Sequence, residues 1–345
     1  MIDCTTSLYL GLQHGSRSLG PWQQFSTGAP AALRPPLQAE ATARKLAGLM
    51  GCAAGVFGSS TLHLFWDLFG IAAADPLAIY VDAGLYPIAG WGVERAAAKG
   101  AQVQVVPHFE PESLGGALGR AGNGPRPLLA VDGVCPACGR LAPIRDYLEL
   151  LRPRGGLLVL DDTQALGIFG RTPGPGAPYG RGGGGALRRA GVSSPDIVVV
   201  SSLAKGLGVP IAVLASSSEF VARFQQESET RVHCSPPSIP AVLAARRALR
   251  INETRGDALR LRLARNVRHF RRRLIAVGLT PGGGLFPVQS LASTSGVDTE
   301  AVRRLLLRRG IRSVLLRSRR LLFILRADHT RSEIDRLADA ILAAI

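Results

Sequence analysis

The sequence predicts an α/β protein: a large domain on a mostly parallel sheet, followed by a smaller α/β domain. Three observations carry this. Apolar runs of strand length alternate with helix-like stretches from residue 53 to 215, the pattern of strands joined by helical crossovers. The runs at 157–162 (LLVLDD) and 197–202 (IVVVSS) are apolar throughout before their polar ends, as in strands covered on both faces. Both stop in polar or Gly-rich turns, where an open parallel sheet meets its ligand.

Taken in order, residues 1–35 mix Gly, Pro, Ser and Gln with little periodicity and read as an N-terminal arm. Residues 36–50 carry Leu37, Ala41, Leu46 and Leu49 near helical spacing, with Gly51 as a stop. A strand over 53–57 runs into Gly58-Ser59-Ser60-Thr61 and a helix to about residue 73. A small polar turn that opens a helix cradles phosphate, because free N–H groups and the helix dipole face the anion. Ser59, Ser60 and Thr61 also suit ordinary N-caps. The next strand, 77–81, ends at Asp82, with Tyr86 four residues on. Strands follow at 102–106 and 128–132, the latter entering Gly133-Val134-Cys135-Pro136-Ala137-Cys138-Gly139. A helix opens at Ala142-Pro143-Ile144. Residues 171–194, rich in Gly and Pro, form a loop; its place after the acidic turn suits a lid or entrance wall, and equally a functionless insertion. The last large-domain strand is 211–215. The large domain therefore covers 36–235. A long Arg-rich helix at 241–277 leads the second unit, 236–345, with strands at 286–290, 311–316 and 321–325 and helices at 298–309 and 331–344.

The chemistry centres on two strand tips. The chain has 41 Lys and Arg residues, yet Lys45, Lys99 and Lys205 are its only lysines. Arg stays protonated in a protein, whereas a desolvated Lys becomes a neutral amine nucleophile. Lys205, between Ala204 and Gly206, suits a Schiff base with a carbonyl cofactor. The acidic pair Asp161-Asp162 at the neighbouring tip suits the pyridinium nitrogen of pyridoxal phosphate (PLP). The same residues are also consistent with a loop-end lysine and a helix-capping acid.

The segments Leu160-Asp161-Asp162-Thr163-Gln164-Ala165-Leu166-Gly167 and Ser202-Leu203-Ala204-Lys205-Gly206-Leu207-Gly208 resemble the PLP-dependent fold-type I enzymes, and most of all the α-oxoamine synthases. That resemblance implies a seven-stranded, mostly parallel sheet, a homodimer and PLP held by Lys205. Asp161 would face the ring nitrogen and Ser202 the phosphate. Ser59, Ser60 and Thr61 fall at the family's phosphate turn, and Tyr86 where a His stacks on the ring. Ser235 falls where a hydroxyl reaches the phosphate of the partner subunit. Several positions depart from the family: Gln164 and Pro136 replace the His and Ser beside the phenolic oxygen, Ser7 replaces an Asn near the substrate carboxylate, and Leu322 stands where a carboxylate-binding Arg is usual, which leaves Arg320 as the substitute. The resemblance implies a transferase that joins an amine or amino acid to an acyl thioester. The departures keep amino transfer and lyase or decarboxylase chemistry open, and a non-catalytic binding protein is the third reading.

Composition sets the outer bounds. Hydrophobic residues make up 46% and charged residues 19%, the balance of a globular chain. The net charge of +16 comes from Arg spread along helices without aromatic interleaving, so specific nucleic-acid binding is not expected. No apolar run is long enough to cross a bilayer and the N-terminus has no signal-peptide pattern; the cytoplasm is the expected location. The five cysteines do not form a disulfide framework. Cys135 and Cys138 form a CxxC with no second CxxC or spaced His pair, so a local redox pair or plain turn residues are expected and no metal site is.

Overall fold

The computed structural model describes residues 1–122, 124–293 and 297–344. Seven strands form the central sheet: β1 (Ala54–Gly58), β2 (Leu77–Asp82), β3 (Gln102–Val106), β4 (Arg126–Asp132), β5 (Leu157–Asp161), β6 (Ile197–Ser202) and β7 (Ala212–Ser216). Their spatial order is β1-β7-β6-β5-β4-β2-β3. β7 runs antiparallel to both neighbours, and the other pairings are parallel. The expected mostly parallel, seven-stranded sheet is borne out.

Why β5 and β6 are apolar at every position is plain from the packing. Successive side chains of a strand point to opposite faces. Leu158 and Leu160 of β5, with Ile197 and Val199 of β6, enter the core beneath the helices Ala39–Met50, Ile144–Leu151 and Ile239–Ile275. Leu157, Val159, Val198 and Val200 enter a separate core under Thr61–Ala72, Pro87–Ala98 and Ser218–Glu227. Strands buried along their length place polar groups at their ends, and Asp82, Asp132 and Asp161 are the last residues of three strands at the carboxyl edge.

The smaller unit packs β8 (Val288–Leu291), β9 (Val314–Leu315) and β10 (Leu321–Ile324) in the order β9-β10-β8, all antiparallel. Ile2–Asp3 pairs in parallel with Ile311–Arg312, which ties the start of the chain to this unit. No helix among the described residues is long and apolar enough to cross a membrane.

Some boundaries depart from the sequence expectation. The first long helix starts at Ala39, not at Pro36: Ala39 N–H donates to Pro36 O at 3.0 Å, and Gln38 holds a left-handed φ of 68°. That turn leaves Leu37 86% exposed, although its spacing placed it on the apolar face. The single strand expected over 311–316 is two short pieces with different partners. The Gly/Pro-rich segment after Gly170 is not a plain loop. Arg171 bridges Arg181, Gly174 bridges Ala177, and a short helix occupies Ala186–Ala190. The long helix holds it down: Asn252 donates to Gly182 O at 2.8 Å, Asp257 accepts from Gly182 N–H at 2.9 Å, and buried Arg260 donates to Gly167 O at 2.9 Å.

Candidate active site

At the carboxyl edge, the strand tips enclose a cavity of about 220 Å³, lined by Thr61, Tyr86, Ile88, Asp132, Asp161, Thr163, Gln164, Ser202 and Lys205. Asp161 and Asp162 divide their work. Asp161 lines the cavity, and its Oδ1 accepts the Thr163 N–H at 2.9 Å, a local Asx turn that fixes the carboxylate. Asp162 accepts the Ala186 N–H at 3.0 Å and so caps the short helix. Of the acidic pair, only Asp161 lines the cavity, and Asp162 serves the helix end.

Lys205 is carried by a tight turn after β6. Leu203 N–H donates to Ile211 O at 2.8 Å and Val209 N–H to Leu203 O at 3.0 Å. The turn closes against the 164–167 segment so tightly that a Cβ on Gly206 would sit 2.3 Å from Leu166 O; only glycine fits. Ser202 joins the tips, its N–H donating to Thr163 Oγ1 at 3.0 Å while its Oγ accepts from Ala204 N–H at 3.2 Å. The Lys205 amine lies 5.6 Å from the centroid of the Tyr86 ring, within cation–π range. Buried Tyr9 donates its hydroxyl to Gln164 Oε1 at 2.6 Å. That bond occupies the amide oxygen and leaves the NH2 as a donor for a ligand.

The electrostatics follow from burial. Desolvation lowers the pKa of Lys205, against the opposing pull of Asp161 and Asp132. Burial raises Asp161 above the usual carboxylate range. Asp132 is pushed up to about 8, first by burial and then by the Asp161 charge; the two are directly paired across β4 and β5. Two buried acids have Lys205 as their cationic neighbour, and a further positive group beside Asp161 would favour its charged form. A protonated ring nitrogen against Asp161 is such a group, and the flat face of Tyr86 fits the ring.

The structure brings together Thr61, Tyr86, Asp161, Gln164, Ser202 and Lys205. It does not bring the other sequence candidates to the cavity lining. Ser60 caps the helix Thr61–Ala72 and contacts His63 Nδ1 at 2.8 Å. Ser59 donates to Ser235 O at 3.0 Å, and Ser235 itself is exposed. Arg320 donates to Ser290 Oγ at 2.5 Å in the smaller unit. Ser7 accepts the Tyr9 N–H at its carbonyl, 2.8 Å away. Sequence reading missed Asp132, Thr163 and Tyr9. Asp132 had a visible signal, because the run 128–132 ends in Asp as 157–161 does.

Comparison with known proteins agrees with this architecture. The family model Aminotransferase class I and II matches residues 37–341. An 8-amino-7-oxononanoate synthase of Burkholderia vietnamiensis is 31% identical over 253 residues, 71% of this chain and 60% of the relative. One of Burkholderia thailandensis is 30% identical over 254 residues, 71% of this chain and 61% of the relative. The chain thus spans about 60% of the length of these curated relatives. Among solved structures, the serine palmitoyltransferase of Sphingomonas wittichii superposes with a TM-score of 0.83 at 18% identity, covering 99% of this chain and 86% of that one. The 8-amino-7-oxononanoate synthase of Francisella tularensis gives 0.75 at 18%, covering 99% and 96%. At that identity the structural likeness speaks for the fold, which is fold type I. The extent of the family match, nearly the whole described chain, makes this protein a member of the aminotransferase class I and II family.

Proposed function

We propose that this chain is a PLP-dependent transferase of the α-oxoamine synthase type, joining an amino acid or amine to the acyl group of an acyl thioester. One observation carries the reading: a desolvated amine, Lys205, and a buried carboxylate, Asp161, line one cavity beneath an aromatic face. PLP, when bound, supplies an electrophilic carbonyl for amines and a ring that accepts electrons from the substrate carbon. The roles of the protein groups follow from their placement. Lys205 would hold the cofactor covalently and serve as the proton carrier, because burial favours its neutral form. Asp161 would keep the ring nitrogen protonated. Tyr86 would cover the ring, Thr61 and Ser202 would offer hydroxyls to the phosphate, and the Gln164 NH2 would be the donor for the phenolic oxygen. Ser59 and Ser60 support the phosphate turn from behind. The reading includes a homodimer, in which exposed Ser235 serves the cavity of the second copy.

A second reading, amino transfer or lyase chemistry on a different amine, is favoured by the position of Arg320. Its guanidinium is engaged with Ser290, and among the described residues no Arg lines the cavity to meet a substrate carboxylate. Titration with PLP, followed by parallel assays of acyl-thioester consumption and amino-donor half-reactions, separates the two. Thioester consumption coupled to amine loss supports the first reading. Conversion of the cofactor to its amine form without thioester use supports the second.

A further inference from the structure

Beside the cavity lies a second group of chemistry-bearing residues that the reaction does not use. The donor atoms of His108, Cys135 and Cys138 all lie within 4.8 Å of one another. They come from the segment after β3 and the turn after β4, brought together because β4, β2 and β3 are consecutive across the sheet. We propose that His108, Cys135 and Cys138 bind a zinc ion that pins the turn after β4 to the segment after β3.

Four features support a built site. First, the ligand set is right: two thiols and an imidazole suit a borderline-soft, tetrahedral ion. Second, the spacing fits. Cys138 Sγ is 3.7 Å from His108 Nε2, near the edge of a tetrahedron with metal–sulfur and metal–nitrogen bonds of about 2.3 and about 2.0 Å. Third, Cys135-Pro-Ala-Cys138 is folded back on itself. The Cys138 N–H points to Cys135 Sγ at 3.4 Å, Gly139 N–H donates to Cys135 O at 2.8 Å, and Cys135 N–H donates to Arg140 O at 3.0 Å. An N–H aimed at sulfur favours the thiolate that a metal needs. Gly139 holds φ +74° here, and a Cβ on it would lie 2.1 Å from Gly283 O.

The fourth feature is the partner behind the imidazole. His108 Nδ1 is 2.7 Å from Asp82 Oδ1. Asp82 is 1% exposed and is held by N–H donation from Gly84 at 2.8 Å and from Phe109 at 2.8 Å. A carboxylate on one ring nitrogen sets the tautomer and leaves Nε2 as the ligand atom, the arrangement found behind zinc-bound histidines. Cys138 is exposed while Cys135 is buried, so the fourth coordination position faces solvent and takes water. The ion joins the turn that follows Asp132 to the segment after β3, and the His108–Asp82 contact carries that tie to the loop leading to Tyr86; Asp132 and Tyr86 both line the cavity. The proposal departs from the expectation of no metal site, which weighed the CxxC without His108, a residue far from it in sequence.

The test is metal analysis of the full chain, with any affinity tag removed, reduced and then exposed to zinc alone. The expected result is about one zinc per chain after dialysis, lost in Cys135→Ser, Cys138→Ser and His108→Ala and retained in Cys234→Ser. Asp82→Asn should bind about 10–100-fold more weakly. Cobalt substitution of the unaltered chain is the second measurement, independent of whether a ligand variant folds, and a thiolate-to-cobalt charge-transfer band is expected. A reduced, folded chain that takes up no zinc and gives no such band overturns the proposal. So does zinc retained by the Cys135→Ser/Cys138→Ser double variant, or a Cys135–Cys138 disulfide that forms in preference to metal uptake under reducing conditions.

Discussion

Two sets of strand tips share the carboxyl edge, and they differ in how their residues meet. The β5 and β6 tips carry Asp161, Gln164, Ser202 and Lys205 on strands that are consecutive in sequence and adjacent in space. The tips of β2 and β4, with the segment after β3, carry Asp82, Tyr86, Asp132, His108, Cys135 and Cys138. There β2 and β3 are consecutive and adjacent, but β4, whose tip and turn carry Asp132, Cys135 and Cys138, pairs with β2 and not with β3, its predecessor in sequence. The first set is a local motif. The second exists only once the sheet is wound, and its chemistry is assembled by topology.

The comparison can be broken by substitution. Lys205→Ala has the largest expected effect: loss of the cofactor's visible band and a fall in turnover of about a thousandfold or more, read by absorption and steady-state assay. Asp161→Asn should come next, with turnover down about 10²–10³-fold and the cofactor still covalently bound, which separates electronic support from attachment. Chelation of metal from the second set should lower the thermal midpoint while Lys205 still forms its cofactor band. Tyr86→Ala should weaken cofactor binding by about 0.5–1.5 kcal/mol, and Tyr86→Phe should leave it nearly unchanged, as measured by PLP titration.

Asp132 gives the pH signature of the second set. In the folded, cofactor-free chain its pKa is raised from the ordinary 3.8 to about 8 by burial and by Asp161. The folded state therefore holds a proton that the unfolded state has released. That contribution is fully present below about pH 4 and is lost as pH climbs through about 8. Asp132→Asn should flatten the fall in stability across this window, measured by denaturant melts at several pH values. An unchanged slope would remove Asp132 from the account.

How much was legible follows the same division. The strands of the large sheet were readable because double-sided burial makes apolar runs of strand length. Lys205 was readable because lysine is scarce in this chain and the turn around it needs glycine. The residues themselves did not separate Asp161 from Asp162, both acids at one tip; the family resemblance singled out Asp161, and the Ala186 N–H bonded to Asp162 gives the physical reason. Leu37 misled because its helical spacing continues into a turn fixed by Pro36. The Gly-rich segment after Gly170 looked like loose loop because its anchors, Asn252, Asp257 and Arg260, lie on a helix far along the chain. His108 lay hidden from the CxxC for the same reason.

The central claim is that the amine at 205 and the carboxylate at 161 share one cofactor. Borohydride reduction after incubation with PLP, followed by peptide mass mapping, tests it most directly, because the chain offers only three lysines and Lys45 and Lys99 are exposed. A single reduced adduct is expected on the peptide that holds Lys205, retained in Asp161→Asn with an altered absorption spectrum. An adduct confined to Lys45 or Lys99, or no adduct at saturating PLP, would contradict it.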